Sequence, residues 1–564
     1  MPTASLHATQ STLPPTINPL SAIFESKSIA VIGASRHRLK VGHQILANLK
    51  RNMELAPVAK GHLDLGENQV GETAYTLYPV NPQSQSILGL PCVASICDIE
   101  DPVELVVIAT PAPFVLDIIN DIIERNRFFA PRNQTKGAII ITAGFAETSK
   151  EGATLQHAIA TKLELAGIAL LGPNSLGCLN PHHFLNASFG PSEVLPGNVA
   201  VISQSGAMLT AIFQSLNSQQ LGVSFAVSLG NKAGLSENEC LQFAQHDPTT
   251  NAVIMYLESF TNLPAFFTVV SQITKEKPVF ILKGGVSQQG HQASVSHTAA
   301  LATNQVLLQA AANQMGFVLV DTIEQLLGAT NFLARYKHLP ENALIMTNAG
   351  GPAVNTTDLL SSTAVSLAVW SESAKRDFAK LLPNIPAHNP LDLLGDAQAD
   401  RFELALQIAQ RDPNIDSLIV ILTQQAVTDI KAITQTLIAH HSKKVMFAAL
   451  VGGNELAPYR RELQAAGIIT VEYPNEAVEQ LGLLAQARQR SYHTQTYRAP
   501  KAPTQKKLQT FRQSGEFNVP APQPNLAETF FLLREHGFQL PEYTLITQRN
   551  LSELKKLKYP LFAK

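Results

Sequence analysis

Cysteine is scarce in this chain. There are four in 564 residues, scattered at Cys92, Cys97, Cys178 and Cys240, with no Cys-x-x-Cys pair and no histidine at metal-ligand spacing. That pattern predicts reduced, mostly buried thiols and no metal site. An excess of charge of one sign is also missing: 42 Lys and Arg stand against 44 Asp and Glu, for a net charge of -2. A polyanion-binding surface is therefore not expected, and with it no nucleic-acid partner. No apolar run is long enough to span a bilayer, and the first twenty residues, MPTASLHATQSTLPPTINPL, lack a basic stretch followed by an apolar core. No membrane partner is expected, and a cytoplasmic location is.

What is present is a long alternation of strand-like apolar runs with helix-like runs, 45% hydrophobic and 15% charged, which argues for α/β architecture with parallel sheets. After a Pro/Ser/Thr-rich tail (1–18), "KSIAVIGASRHRLKVGHQILANL" reads as strand, tight turn and helix. "TLYPVNP", "VELVVIATPA", "KGAIIITAGFAE" and "IALLGPNSLG" follow as strands with polar or glycine residues at their carboxyl ends. Open α/β sheets bind ligands there, so 19–180 is read as one nucleotide-binding domain, with Arg51 to Thr76 as a surface insertion. Residues 181–335 ("NVAVISQSGAM", "GVSFAVSLGNKA", "NAVIMYLES", "KPVFILKGG") and 336–491 ("NALIMTNAGGPAV", "NPLDLLGDA", "DSLIVILTQQ", "KVMFAALVGG") read as two more doubly wound domains. A Pro/Gln/Thr/Lys-rich linker (492–525) leads to 526–564, which reads as the opening of an unfinished domain.

The first turn puts Gly33 between a strand and a helix, where backbone N–H groups can hold phosphate. The dinucleotide fingerprint is incomplete: Ser35 and Arg38 stand where its second and third glycines belong, and the next strand ends in Asn81-Pro82 instead of an acid. Arg36, Arg38 and Lys40 suit a heavily phosphorylated nucleotide such as coenzyme A, or else form a solvated loop face. In the second turn, Ser203-Gln204-Ser205-Gly206 leads a strand into a helix, a cradle for inorganic phosphate or a plain serine N-cap. A hydrolase elbow fits poorly, because Ile202 precedes Ser203 where that motif has a glycine.

His297 lies in "KGGVSQQGHQASVSHTAAL", a low-bulk stretch in which large ligands can approach an imidazole closely. A neutral imidazole can attack an acyl phosphate if a carboxylate fixes its tautomer, and Glu258, ending "NAVIMYLES", is the candidate; its alternative is an ordinary strand-end acid. The pairs His182-His183 and His440-His441 read as surface residues. Asp392 reads equally as a capping residue or a phosphate-site organiser.

In this order, "SIAVIGAS", "YPVNP", "TAGFAE", "LGPNSLG", "LNASF", "VISQSGA", "VSLGNKA", "SHTAAL", "TNAGGPAV" and "NPLDLLGDA" resemble the NDP-forming acyl-CoA synthetases, relatives of succinyl-CoA synthetase. The resemblance implies a Rossmann-like CoA-binding domain, two flavodoxin-like ligase domains and the incomplete entry segment of an ATP-grasp domain ending in "YPLFAK". It implies the reaction acyl-CoA + Pi + ADP to carboxylic acid + CoA + ATP, through an acyl phosphate and a phosphohistidine at His297 oriented by Glu258. Gly33, Ser35, Arg36, Lys40, Asn81, Pro111, Gly144 and Asn174 would contact coenzyme A, and Ser203, Ser205 and Gly206 the transferring phosphoryl group. ADP or ATP with Mg2+ would be bound only by an ATP-grasp domain beyond this sequence, so the sequence is expected to be a truncated product, a fragment, or one half of a split enzyme whose partner is an ATP-grasp subunit; an oligomeric assembly is also expected. Bacterial protein lysine acetyltransferases share "LGPNSLG" and "LNASF" and use a similar body as a CoA-binding regulatory module. That role, or a catalytically inactive CoA-binding protein, is the alternative.

Overall fold

The computed structural model describes residues 18–62, 75–287, 289–290, 305–441 and 444–496. His297, the greater part of the linker and all of 526–564 lie outside the described residues. Three sheets carry the architecture, each built from buried runs rich in Val, Ile and Leu, the composition of parallel strands covered on both faces.

The first sheet contains β1 (Ser28–Ile32), β2 (Thr76–Val80), β3 (Leu105–Ile108), β4 (Gly137–Ile140) and β5 (Ala169–Leu171), in the order β2-β1-β3-β4-β5 and all parallel. Helix α1 (Val41–His62) follows β1, and α2 (Lys150–Leu165) lies between β4 and β5. The stretch read as an insertion from Arg51 is, as far as His62, the continuation of α1. The helix runs through Pro57 and Gly61, residue types that ordinarily favour turns. Tyr75 anchors the return, its hydroxyl donating to Leu49 O at 2.7 Å.

The second sheet contains β6 (Gly177–Asn180), β7 (Leu185–Ser188), β8 (Pro196–Ser203), β9 (Val223–Ser228), β10 (Ala252–Leu257), β11 (Val279–Lys283) and β12 (Val318–Val320). The order is β12-β11-β10-β8-β9-β6-β7, parallel from β12 to β9 with β6 and β7 as an antiparallel edge. It thus begins at Gly177, inside the stretch assigned above to the first domain. Helices α3 (Gly206–Ser218), α4 (Glu237–His246) and α5 (Ile323–Arg335) cover it.

The third sheet contains β13 (Asn342–Thr347), β14 (Ser366–Leu367), β15 (Leu391–Asp392), β16 (Ser417–Thr423), β17 (Val445–Val451) and β18 (Ile469–Val471). Its order is β14-β13-β16-β17-β18, with β15 also paired to β13. Helix α6 (Gly350–Ser361) follows β13, α7 (Ala399–Arg411) precedes β16, and α8 (Pro474–Thr496) closes the described chain, running past residue 492, where the sequence suggested a linker.

The second and third sheets repeat one device. Lys277 Nζ closes the end of α4 by donating to Ala244 O and Asp247 O, and Lys444 Nζ does the same for α7 at Ala409 O and Asp412 O. A lysine at a helix carboxyl end satisfies orphan carbonyls and complements the helix dipole.

One hydrophobic core joins the first sheet to the second, with Ile29 and Leu105 sharing it with Phe225 and Val253. Another joins the second to the third, including Val201, Ile254, Ile345 and Phe447. The strand ends are therefore held on rigid, fully buried supports. All four cysteines are free; Cys178 and Cys240 are buried, Cys92 is half-buried and Cys97 exposed, so only two of the four meet the expectation of burial. No described helix is long and apolar enough to cross a membrane.

Candidate active site

In each sheet one parallel strand (β1, β8 or β13) has its successor on one side (β2, β9 or β14) and a later parallel strand on the other (β3, β10 or β16). The crevice between that strand and the later one, at their carboxyl ends, is the topological switch point where such sheets take ligands. In the first sheet this crevice lies between β1 and β3. Gly33, with φ of +89°, sits so close to β3 that a Cβ there would come within 2.9 Å of Ala109 C and 3.0 Å of its oxygen. Its own N–H is held by Val80 O at 3.0 Å. Asn81 crosses back, its Nδ2 donating to Ala34 O at 2.6 Å, so the carboxyl ends of β1 and β2 are tied together. Ser35 Oγ accepts the His37 N–H at 3.1 Å, and Arg36 Nε donates to Ser86 O at 3.3 Å. Arg36, Arg38 and Lys40 are exposed along the rim. Pro111 follows β3 at the same end, as the N-cap of a short 3-10 helix (Ala112–Phe114).

Gly144 (φ +104°) and Asn174 (φ +57°) follow β4 and β5. Gly144 N–H donates to Glu147 Oε1 at 2.6 Å, while Asn231, in the loop after β9, donates to Glu147 Oε2 at 2.5 Å and Gln156 Oε1 at 2.9 Å. Asn174 Nδ2 donates to Asn231 Oδ1 at 3.2 Å. Burial works to raise the Glu147 pKa, but the bonds from Asn231, Gly144 and Phe145 outweigh it and leave the carboxyl below its ordinary value. Six of the eight residues proposed for coenzyme A thus come from strand ends and turns at one edge of the first sheet, with Arg36 and Lys40 on the rim. Asn231 and Glu147, which the sequence did not single out, connect that edge to the second sheet.

In the second sheet the crevice lies between β8 and β10. Ser203 pairs with Tyr256 in register, so the turn after β8 and Glu258 after β10 emerge side by side. Ser203 Oγ donates to Ser205 O at 2.6 Å and accepts Ser205 N–H at 3.1 Å, which curls the turn. Ser205 then caps α3 through Met208 N–H at 3.3 Å. Gly206 opens α3, whose positive end faces the crevice. Glu258 Oε1 accepts the Tyr256 hydroxyl at 3.4 Å, whereas Glu258 Oε2 is buried with no hydrogen-bond partner among the described residues. Burial, then the charge of Glu258, pushes the Tyr256 hydroxyl up to about 12.

The neighbours of Glu258 are residues that sequence reasoning missed. Gln204 Oε1 accepts the N–H groups of Glu258 and Ser259 at 2.8 and 3.0 Å. Lys283 Nζ donates to Glu258 O at 2.7 Å and to Gly284 O. Lys232 Nζ donates to Ser259 O at 2.6 Å and to the wholly buried Glu237 carboxylate at 3.0 Å. A single lysine ending an apolar run, as in "FILK", was the available signal: a charge at that position needs a buried partner.

The third sheet builds the same turn. Thr347 Oγ1 donates to Ala349 O at 3.1 Å and accepts its N–H at 2.9 Å, and Asn348 grips the neighbouring strand through Thr423 N at 3.0 Å and Thr423 O at 3.0 Å. Asp392 Oδ1 accepts Leu394 N–H at 2.8 Å, and its other oxygen lies 3.2 Å from where a Cβ on Gly350 would stand. A cavity of about 900 Å³ lies at the opposite ends of these strands, lined by Arg335, Arg411 and Lys444 among others. Helix carboxyl ends at Arg335 and Arg411 account for those cations, so the cavity is not the candidate site.

Residues 27–181 match the model of a CoA binding domain, and residues 196–333 that of a succinyl-CoA ligase like flavodoxin domain. The alpha subunit of acetate–CoA ligase [ADP-forming] I from Pyrococcus furiosus is 31% identical over 474 residues, covering 82% of this chain and 97% of the relative. The chain belongs to the ADP-forming acetate–CoA ligases. Acetate–CoA ligase [ADP-forming] I of Archaeoglobus fulgidus is 33% identical over 82% of this chain, but the chain spans only 63% of that relative's length. Among solved structures of this ligase family, dinucleotide forming acetyl-coenzyme A synthetase 1 of Ca. Korarchaeum cryptofilum, in complex with phosphate and ADP, matches with a TM-score of 0.74 at 30% identity. That match covers 85% of this chain and 99% of the other.

Proposed function

We propose that this chain is the CoA- and acyl-phosphate-handling part of an ADP-forming acyl-CoA synthetase that converts acyl-CoA, phosphate and ADP to a carboxylic acid, CoA and ATP. The carrying observation is the buried Glu258 Oε2, without a partner among the described residues, beside the Ser203–Gly206 turn at the switch point of the second sheet. A carboxylate oxygen shut away from water without a donor is costly unless a ligand or side chain completes it. The N–H of a neutral His297 imidazole is the donor assigned to it, which leaves the other ring nitrogen free to attack phosphorus.

Coenzyme A occupies the crevice at Gly33, Ser35, Asn81, Pro111, Gly144 and Asn174, with Arg36 and Lys40 on its phosphates. An oxygen of inorganic phosphate attacks the thioester carbonyl, the C–S bond breaks, and CoA leaves as the thiolate and takes up a proton. Ser203, Ser205 and Gly206 at the α3 terminus hold the phosphoryl group of the resulting acyl phosphate. The His297 imidazole attacks phosphorus, the bond to the acyl oxygen breaks, and the carboxylate departs. Glu258 balances the charge on the ring and fixes its tautomer. Transfer to ADP then belongs to an ATP-grasp subunit, which supplies the nucleotide and Mg2+ site; the relatives named as alpha subunits support that partnership. The acyl group is a small one such as acetyl, and the assembly is an oligomer in the cytoplasm.

Incubation of the chain with acetyl-CoA and radiolabelled phosphate tests this reading. Alkali-stable, acid-labile label on the protein is expected, and its absence while CoA binds contradicts it.

A further inference from the structure

The peptide of Glu258 and Ser259 is held at every backbone polar group by side chains from three other strand ends. Gln204, after β8, takes both N–H groups through one oxygen and donates its Nε2 to Ser259 Oγ at 3.2 Å. Lys283, the last residue of β11, takes Glu258 O, and Lys232, after β9, takes Ser259 O. Two residues on, Thr261 N–H donates to Glu237 Oε1 at 2.7 Å, and Glu237 is the partner of Lys232. Few strand ends need such fastening. Backbone groups beyond a strand are ordinarily satisfied by water or turns, and burying two ammonium groups to hold two carbonyls carries a desolvation cost.

We infer that Gln204, Lys232 and Lys283 form a cage whose role is to fix Glu258 for the histidine phosphorylation step, making them positioning residues of that reaction. The inference rests on the reaction proposed above. Lys283 has a second attachment, to Gly284 O, the residue that opens the stretch leading to His297, so one ammonium ties the root of that stretch to the backbone of the carboxylate. Both lysines also lie within the field of the Glu258 charge, which offsets part of the negative charge gathered by a carboxylate and a phosphoryl group in one crevice. The space over Gly284 is equally constrained: a Cβ there would come within 2.8 Å of the Tyr256 hydroxyl and 3.4 Å of Glu258 Cγ.

The test uses the full chain with Lys283→Met, Lys283→Arg and Gln204→Ala, read by hydrogen–deuterium exchange and by the rate of labelling with acetyl-CoA and radiolabelled phosphate. In the Met and Ala variants, amides of 258–261 exchange about tenfold faster, and the labelling rate constant falls about a hundredfold, the scale of a misplaced catalytic group. The apparent KM for phosphate and the affinity for CoA stay as in the unmodified chain, and Lys283→Arg recovers most of the rate. Exchange at 258–261 unchanged in Lys283→Met, or labelling at the normal rate, overturns the inference. So does a raised KM at unchanged rate, which makes Lys283 a phosphate ligand, or faster exchange across all three sheets, which makes the loss one of folding. If the unmodified chain takes no label while the variants show the expected local exchange, the reaction reading fails and the cage remains as structure alone.

Discussion

The side-chain oxygen of Gln204 accepts the backbone N–H of Glu258 at 2.8 Å, across the crevice between β8 and β10 of the second sheet. A neutral amide thereby fixes an acid without competing for its charge. Gln204→Ala leaves the N–H groups of Glu258 and Ser259 without that acceptor, at a cost of about 1–3 kcal/mol, as for other unsatisfied polar groups. Denaturant unfolding should show a lower midpoint with unchanged slope.

Lys232 and Glu237 form a pair with side-chain exposures of 4% and 0%, so neither can be relieved by water when the other is removed. Lys232→Met should destabilise by about 3–5 kcal/mol. The double variant Lys232→Met/Glu237→Gln should recover a substantial part of that loss, because the stranded charge is gone. A double-mutant cycle from chemical denaturation measures the coupling directly; additive losses would contradict a buried pair.

Burial, only partly opposed by Glu258, pulls the Lys283 ammonium down to about 8. Between about pH 8 and the ordinary lysine value, the unfolded chain binds the proton that the folded chain has released. The contribution of this group to stability therefore rises with pH across that window, by up to about 1.4 kcal/mol per pH unit. The stability difference between the unmodified chain and Lys283→Met, followed from pH 7 to 10.5, should change in favour of the unmodified chain only above about pH 8.

Gly33 and Gly89 both have positive φ, but only Gly33 is crowded. Gly33→Ala should weaken CoA binding by well over tenfold in calorimetry, since its Cβ strikes the Ala109 carbonyl in the crevice. Gly89→Ala meets nothing within 4 Å and should cost about 1–2 kcal/mol of backbone strain with CoA affinity unchanged.

The three doubly wound sheets were legible because buried parallel strands are written as continuous apolar runs, each ending in glycine or a small polar residue. That pattern located Gly33, Ser203, Gly206 and Glu258 at strand ends. The cage was legible only as a lone lysine ending the run "FILK", a sign of a buried partner: Gln204, Lys232 and Lys283 act through backbone groups of residues elsewhere in the chain, and spacing does not say which. The length of α1 was missed for the opposite reason, because Pro57 and Gly61 are local loop signals that the helix overrides. The start of the second sheet at Gly177 was hidden because its antiparallel edge strands precede, in sequence, the strand that founds the sheet.

The most direct measurement is peptide mapping, under alkaline conditions, of the chain labelled with acetyl-CoA and radiolabelled phosphate, with and without a supplied ATP-grasp subunit. Label is expected on the peptide containing His297, absent from His297→Asn and discharged as ATP when the subunit and ADP are added. Label on another residue, or none in a chain that binds CoA, would contradict the proposed reaction.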